Sequence, residues 1–305
     1  MEELASMPGE AEPSVARMVL GATLYLEDCL SWSCGGVVNA LDAFCRLAPV
    51  DRVAWWTTSQ IDEWHAVTAD GIGSLRESLG ARGLLHGPPR HLFRFELVDD
   101  AGAPSVGFSY REIDSRRSSR AGVLELTVPL DWSPEALHEL VSVVGAAGPW
   151  TVGLAGHAVR WSFLHRRAAF DQAYRWCRRF RGLHVDDAED VAWHVERGLP
   201  GASWLTLISR RAAQSWGLDL DRLAAHPFRN DVTLETLPSG VVVRAGGRPS
   251  AGDTNALEYP WAQAEVTRWL APWILRDLPE HWGLFGSRRE TTAWRLRLVE
   301  PKGWK

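Results

Sequence analysis

The chain has 305 residues, 46% of them hydrophobic and 23% charged, enough to bury one large core or two closely packed ones. Its formal net charge of -5 lacks the basic surplus of a nucleic-acid binder, so direct contact with nucleic acid is not expected. The charge is uneven: residues 1–150 hold 21 Asp and Glu against 11 Arg, a balance of -10, whereas residues 151–305 hold 17 against 22 Lys and Arg, a balance of +5.

In chain order, residues 1–14 read as a mobile acidic tail carrying Glu2, Glu3, Glu10 and Glu12 with two prolines. A signal peptide would need a basic start and an apolar core, so a cytoplasmic location is expected. Residues 17–27 (RMVLGATLYLE) are rich in β-favouring residues and predict a strand. Val37, Leu41, Phe44 and Leu47 fall at helical spacing and predict a helix over 36–48, stopped by Pro49. Segment 55–70 is less regular, and Trp55, Trp56 and Trp64 in it suit either core packing or a partner-binding anchor. A further helix is expected over 72–81.

Three strands follow at 92–98, 105–113 and 122–129. Their two-residue alternation sets Leu92, Phe93 and Phe95 against Arg94 and Glu96, and Leu124, Leu126 and Val128 against Glu125 and Thr127. The pattern predicts an antiparallel meander with one wet face. Ser133-Pro134-Glu135 then opens a helix to about Val144, because Ser caps free amides, Pro suits the first turn and Glu favours its positive end.

Residues 140–159 contain no Asp, Glu, Lys or Arg and reach membrane-spanning length. Four glycines and the Gly148-Pro149 pair divide them into a helix end and a buried strand, so no membrane span is expected. A long helix over 160–181 should bury Phe163, Phe170, Tyr174, Cys177 and Phe180 and leave Arg167, Arg175, Arg178 and Arg179 in solvent. Beyond it the pattern gives a strand at 203–208, short helices within 209–225, and strands at 231–237 and 240–245. A helix from Pro260 should end before Pro272, and 292–299 reads as a closing strand. The expected fold class is α+β: mixed, largely antiparallel sheets packed with helices, in one or two intimate domains. The halves are 15–150 and 151–305.

Chemistry is sparse. Lys302 and Lys305 are the only lysines, which excludes a Walker loop and any mechanism with an internal Lys. Gly71 and Gly73 lack the third dinucleotide-binding glycine, and there is no HExxH pair or GxSxG elbow, so no cofactor is expected and no catalytic residue stands out. Cys29, Cys34, Cys45 and Cys177 fit neither zinc spacing nor a disulfide framework. His184, Asp186, Asp187, Glu189, Asp190, His194 and Glu196 would ligate a metal, as in a metal-dependent hydrolase, only if a loop gathered them; the simpler reading is an acidic loop capping the next element. Loop 245–255 (AGGRPSAGDTN) is either a small-ligand site built on backbone amides and Arg248 or a structural turn relieved by its glycines.

One constellation is more specific. Gly201-Ala-Ser-Trp204-Leu-Thr206-Leu precedes a short helical stretch and a hairpin, followed by Gly240-Val-Val-Val-Arg244-Ala-Gly246, Pro249 and Gly252-Asp253-Thr-Asn255. In order and spacing this resembles the type VI secretion immunity (TsiV-like) family, with Leu154-Ala155-Gly156 and Asp190-Val-Ala-Trp193 also fitting its layout. Ser250-Ala251 and Thr254 depart from it, standing where the family tends to have larger apolar residues. The resemblance implies a cytoplasmic immunity protein that neutralises a cognate toxin, typically a VRR-NUC nuclease of the PD-(D/E)xK type, and it brings no catalytic residues. Such nucleases place a Lys beside their metal-binding acids, which this chain cannot do. A nuclease offers positive charge, so the expected partner-facing residues are Asp99, Asp100, Glu112, Asp114, Asp186, Asp187, Glu189 and Asp190, with Gly240–Asn255 supporting the fold.

Overall fold

Strand β1 (Ala16–Leu26) is the organising element, because long strands pair with it on both sides. The computed structural model describes residues 14–27, 35–59, 63–67, 93–112, 120–302 and 304. Residues 1–13 of the expected tail, the helix over 72–81, Cys29, Cys34 and Asp114 lie outside them. Within them the strands are β2 (Trp55–Thr58), β3 (His65–Ala66), β4 (Arg94–Val98), β5 (Gly107–Arg111), β6 (Gly122–Val128), β7 (Trp150–Trp161), β8 (Leu205–Ser209), β9 (Val232–Leu237) and β10 (Gly240–Ala245). All join one antiparallel sheet in the order β3-β2-β4-β5-β6-β1-β7-β8-β10-β9. The fold is α+β.

Helices cover both faces. The side chains of α1 (Val37–Leu47) and α2 (Pro134–Ala146) form one core with Leu24, Leu26, Leu124, Leu126, Leu207 and Val242. Their sequence neighbours Tyr25, Val123, Ile208 and Val243 point the other way, into a second core, as the two-residue period of a strand requires. That core is closed by α4 (Ala188–Val191), α5 (Arg210–Trp216), α6 (Leu220–Ala224) and α7 (Trp261–Leu270). A third, aromatic cluster joins Val159 to α3 (Arg166–Arg179) and α8 (Arg288–Arg295) through Phe170, Phe285, Trp294 and Trp304. Ser133 caps α2 by accepting from the Ala136 amide at 3.2 Å, as its Ser-Pro-Glu start predicts.

Four expectations change. Segment 55–70 contributes β2 and β3, and its weak alternation reflects their place at the sheet edge. The polar side of the meander is largely covered: Glu96 and Thr127 are buried, Glu125 is nearly so, and Arg94 is the exposed member of an ion-pair layer. In it Arg94 and Arg111 reach Glu96 at 2.6 and 3.2 Å, and Arg160 pairs with Glu125. Burial alone would raise the Glu96 carboxyl, but Arg111 and Arg94 hold it below its usual range. The helix expected over 160–181 begins only at Arg166, after β7 and a 3-10 turn at Phe163–His165, so Phe163 is exposed instead of buried. Finally, 292–299 is no strand. Ser287 accepts from the Glu290 amide at 3.2 Å and starts α8, and the alternation of Trp294, Arg295, Leu296 and Arg297 is of residues that are all buried.

Candidate functional site

The Gly201–Asn255 signature is built inward. Trp204 is buried, with its indole N–H donating to the Gly246 carbonyl at 2.9 Å, and the Arg244 guanidinium lies 5.4 Å above its ring while donating to Gly247. Thr206, wholly buried, accepts from the Ser203 amide at 3.0 Å and donates to the Ser203 carbonyl at 3.2 Å. Past Pro249 the loop is sewn to the end of α3. The Arg181 and Gly182 amides donate to Gly252 and Ala251, while Arg179 clamps Asp253 at 2.6 and 2.8 Å. Asp253 also accepts from the Asn255 amide, and the Arg179 hydrogen bonds lower its carboxyl pKa. Gly252 takes a positive φ of 65° against Pro260, where a Cβ would sit 2.7 Å from Cδ. The loop's Ala251 and Gly252 carbonyls and the Asp253 carboxylate therefore bind the chain itself.

The acidic segment after α3 is dispersed. Asp186 turns inward to Arg295, with His184 and His281 3.7 and 3.6 Å away. Beside them a cavity of about 20 Å³, room for one water, is lined by His184, Asp186, Gly201, Thr267, Arg295 and Arg297. Asp187 caps α4 by accepting from the Glu189 amide at 2.9 Å and pairs with Arg166. Glu189 faces Arg111 and Arg120 at 2.9 and 3.1 Å, Asp190 faces Arg166 at 3.2 Å, and His194 contacts Arg197. Among the described residues no group of three or more His, Cys, Asp or Glu side chains is arranged to hold a metal.

The first-half carboxylates serve the β4–β5 turn. Asp99 accepts from the Ser105 and Val106 amides at 2.8 and 3.0 Å, and Asp100 accepts from the Gly102 amide at 2.7 Å and from Arg17 at 3.1 Å. Glu112 is buried. Of the described carboxylates expected to face a partner, Glu189 and Asp190 reach solvent most, at 42% and 41%, and both already have arginine partners.

A face that the sequence reading passed over lies beside Asp190. Phe163, Leu164, Trp282 and Leu284 are 71%, 69%, 49% and 51% exposed. Arg166 ties them to the acidic segment: held by Asp187 and Asp190, its guanidinium lies 4.7 Å from the Trp282 ring, 5.8 Å from Phe163 and 5.3 Å from Trp161. Gly283, at φ 63°, lets the turn pass α3, where a Cβ would collide with Asp171, and the Leu284 amide donates to that carboxylate at 2.6 Å. On the opposite flank of Glu189, Arg120 lies 5.5 Å from the half-exposed Trp193 ring.

Comparison with known proteins bears on this arrangement. A family model described as TsiV, type VI immunity for VRR-NUC, matches residues 36–298. Among solved structures, the T6SS protein PA0821 of Pseudomonas aeruginosa superposes with a TM-score of 0.77 at 21% sequence identity, covering 95% of this chain and 87% of that one. That likeness is one of fold. No curated protein matches the chain.

Proposed function

Because the chain belongs to the TsiV family, type VI immunity for VRR-NUC, we propose that it binds a cognate VRR-NUC toxin and neutralises it by covering its DNA-binding or active surface. The family match over residues 36–298 carries this reading. Two observations support it. The signature residues are spent on the scaffold, and the titratable groups of the acidic segment are spent on caps and ion pairs. No helix among the described residues is long and apolar enough to cross a membrane, which suits a protein that meets a nuclease where its DNA lies.

Co-expression with its cognate VRR-NUC effector should restore growth and give a complex burying roughly 1,200–2,000 Å² or more. Growth arrest despite full expression of the protein, with no complex, would overturn the proposal.

A further inference from the structure

We propose that the toxin docks on the face formed by Phe163, Leu164, Trp282 and Leu284 and meets it with an apolar projection flanked by carboxylates; this deepens the immunity reading and rests on it. The apolar half of the inference comes from exposure and order together. The Phe163 and Trp282 rings meet at Arg166, and Leu164 and Leu284, close to them in the chain, are also exposed, although a folded domain gains by burying each of them. The surface is also held in shape. Arg166 is fixed by Asp187 and Asp190 beneath the Trp282 and Phe163 rings, and Asp171 anchors the turn through the Leu284 amide. A preformed aromatic surface loses little freedom on binding, which is how a small group of side chains comes to dominate an interface.

The charge half comes from which ions still lack a counter-charge. Arg167, Arg175 and Arg178 on α3 and Arg288 and Arg289 on α8 are exposed and have no carboxylate within ion-pair distance among the described residues. The acids of those two helices are occupied, Asp171 by the Leu284 amide and Glu290 by the Tyr174 hydroxyl at 3.5 Å. Glu280 adds one exposed negative charge to the segment leading to Trp282. By contrast Glu189 and Asp190 are already matched by Arg111, Arg120 and Arg166. Arg167, whose backbone borders Gly283, places unmatched positive charge beside the aromatic face, so the complementary surface is acidic, as at the metal-binding acids of such a nuclease rather than along its DNA-binding flanks. Exposed Phe, Leu and Trp side chains suit a protein surface better than a phosphate backbone.

The test uses the full chain and its purified cognate VRR-NUC effector. Trp282→Ala with Leu284→Ala should weaken binding by about 30-fold or more, as loss of a hot spot does, with the melting temperature kept. Arg167→Glu with Arg288→Glu, which removes no side-chain hydrogen bond or ion pair among the described residues, should slow association in a salt-dependent way. Unchanged affinity in both double variants would overturn the docking face while leaving the immunity reading intact. A wild-type chain that does not bind the effector would overturn both. Binding of a 20-base-pair DNA duplex lost on Arg167→Glu with Arg288→Glu would overturn the proposal in favour of a nucleic-acid site. A wild-type dimer dissolved by Trp282→Ala with Leu284→Ala would overturn it in favour of a second copy of this chain.

Discussion

Asp186 and Arg295 meet side by side in the interior, the guanidinium Nε and Nη2 donating to Oδ1 at 3.2 and 3.1 Å, with both side chains 6% exposed. Burial alone would raise the Asp186 carboxyl; Arg295, then His184 and His281, hold it below its usual range. The pair joins the segment after α3 to α8, two elements that no sheet hydrogen bond connects.

Removing one partner leaves the other charge buried. Asp186→Asn should therefore cost about 3–5 kcal/mol in chemical denaturation, while Asp186→Leu combined with Arg295→Met should recover much of that loss. A cost below about 1 kcal/mol for the single variant would show that the ion pair does not hold this junction.

The pH response follows from His281, which burial pushes down to about 3. Its folded value lies below the unfolded one, near 6.5, so its contribution to stability is present above pH 6.5 and is lost as pH falls toward 3. Between those values the unfolded chain binds the extra proton, giving a slope of up to about 1.4 kcal/mol per pH unit from this group. His281→Phe, next to Phe170 and Phe285, should flatten the acid limb of the stability curve. An unchanged limb would assign the acid sensitivity elsewhere.

Gly252 tests the signature as scaffold. Gly252→Val demands an unfavourable positive φ and a clash with Pro260, and should cost about 1–3 kcal/mol or more while the folded fraction still binds the effector. Full stability with lost binding would move the loop into the interface.

Charge variants separate scaffold from steering. Asp99→Asn with Asp100→Asn keeps the Oδ1 acceptors of the β4–β5 turn but replaces the oxygens that accept from the Ser105 hydroxyl and Arg17, at about 0.5–1.5 kcal/mol for each lost hydrogen bond. Association with the effector should stay within about twofold of wild type, and the same holds for Glu189→Gln with Asp190→Asn, because arginines already neutralise these groups. Slower, less salt-sensitive capture in either double variant would place the acidic side at the partner.

Much of the fold could be read from the sequence because periodicity and caps agreed. Ser133-Pro134-Glu135 marked α2, and Leu124, Leu126 and Val128 marked one core face of β6. Reading failed where a polar residue had a buried partner far away in the chain. Glu125 looked solvated until Arg160, 35 residues on, was found against it, and Arg295 and Arg297 made a helix and its turns imitate a strand. The docking face was hidden for a related reason. Phe163 and Trp282 are 119 positions apart, and only folding sets both beside Arg166.

Titration of the purified effector's nuclease activity with the full chain tests the central claim most directly. The account predicts that DNA cleavage falls in proportion to added protein and stops at a fixed stoichiometric ratio. Cleavage that persists in the presence of excess, correctly folded protein would contradict it.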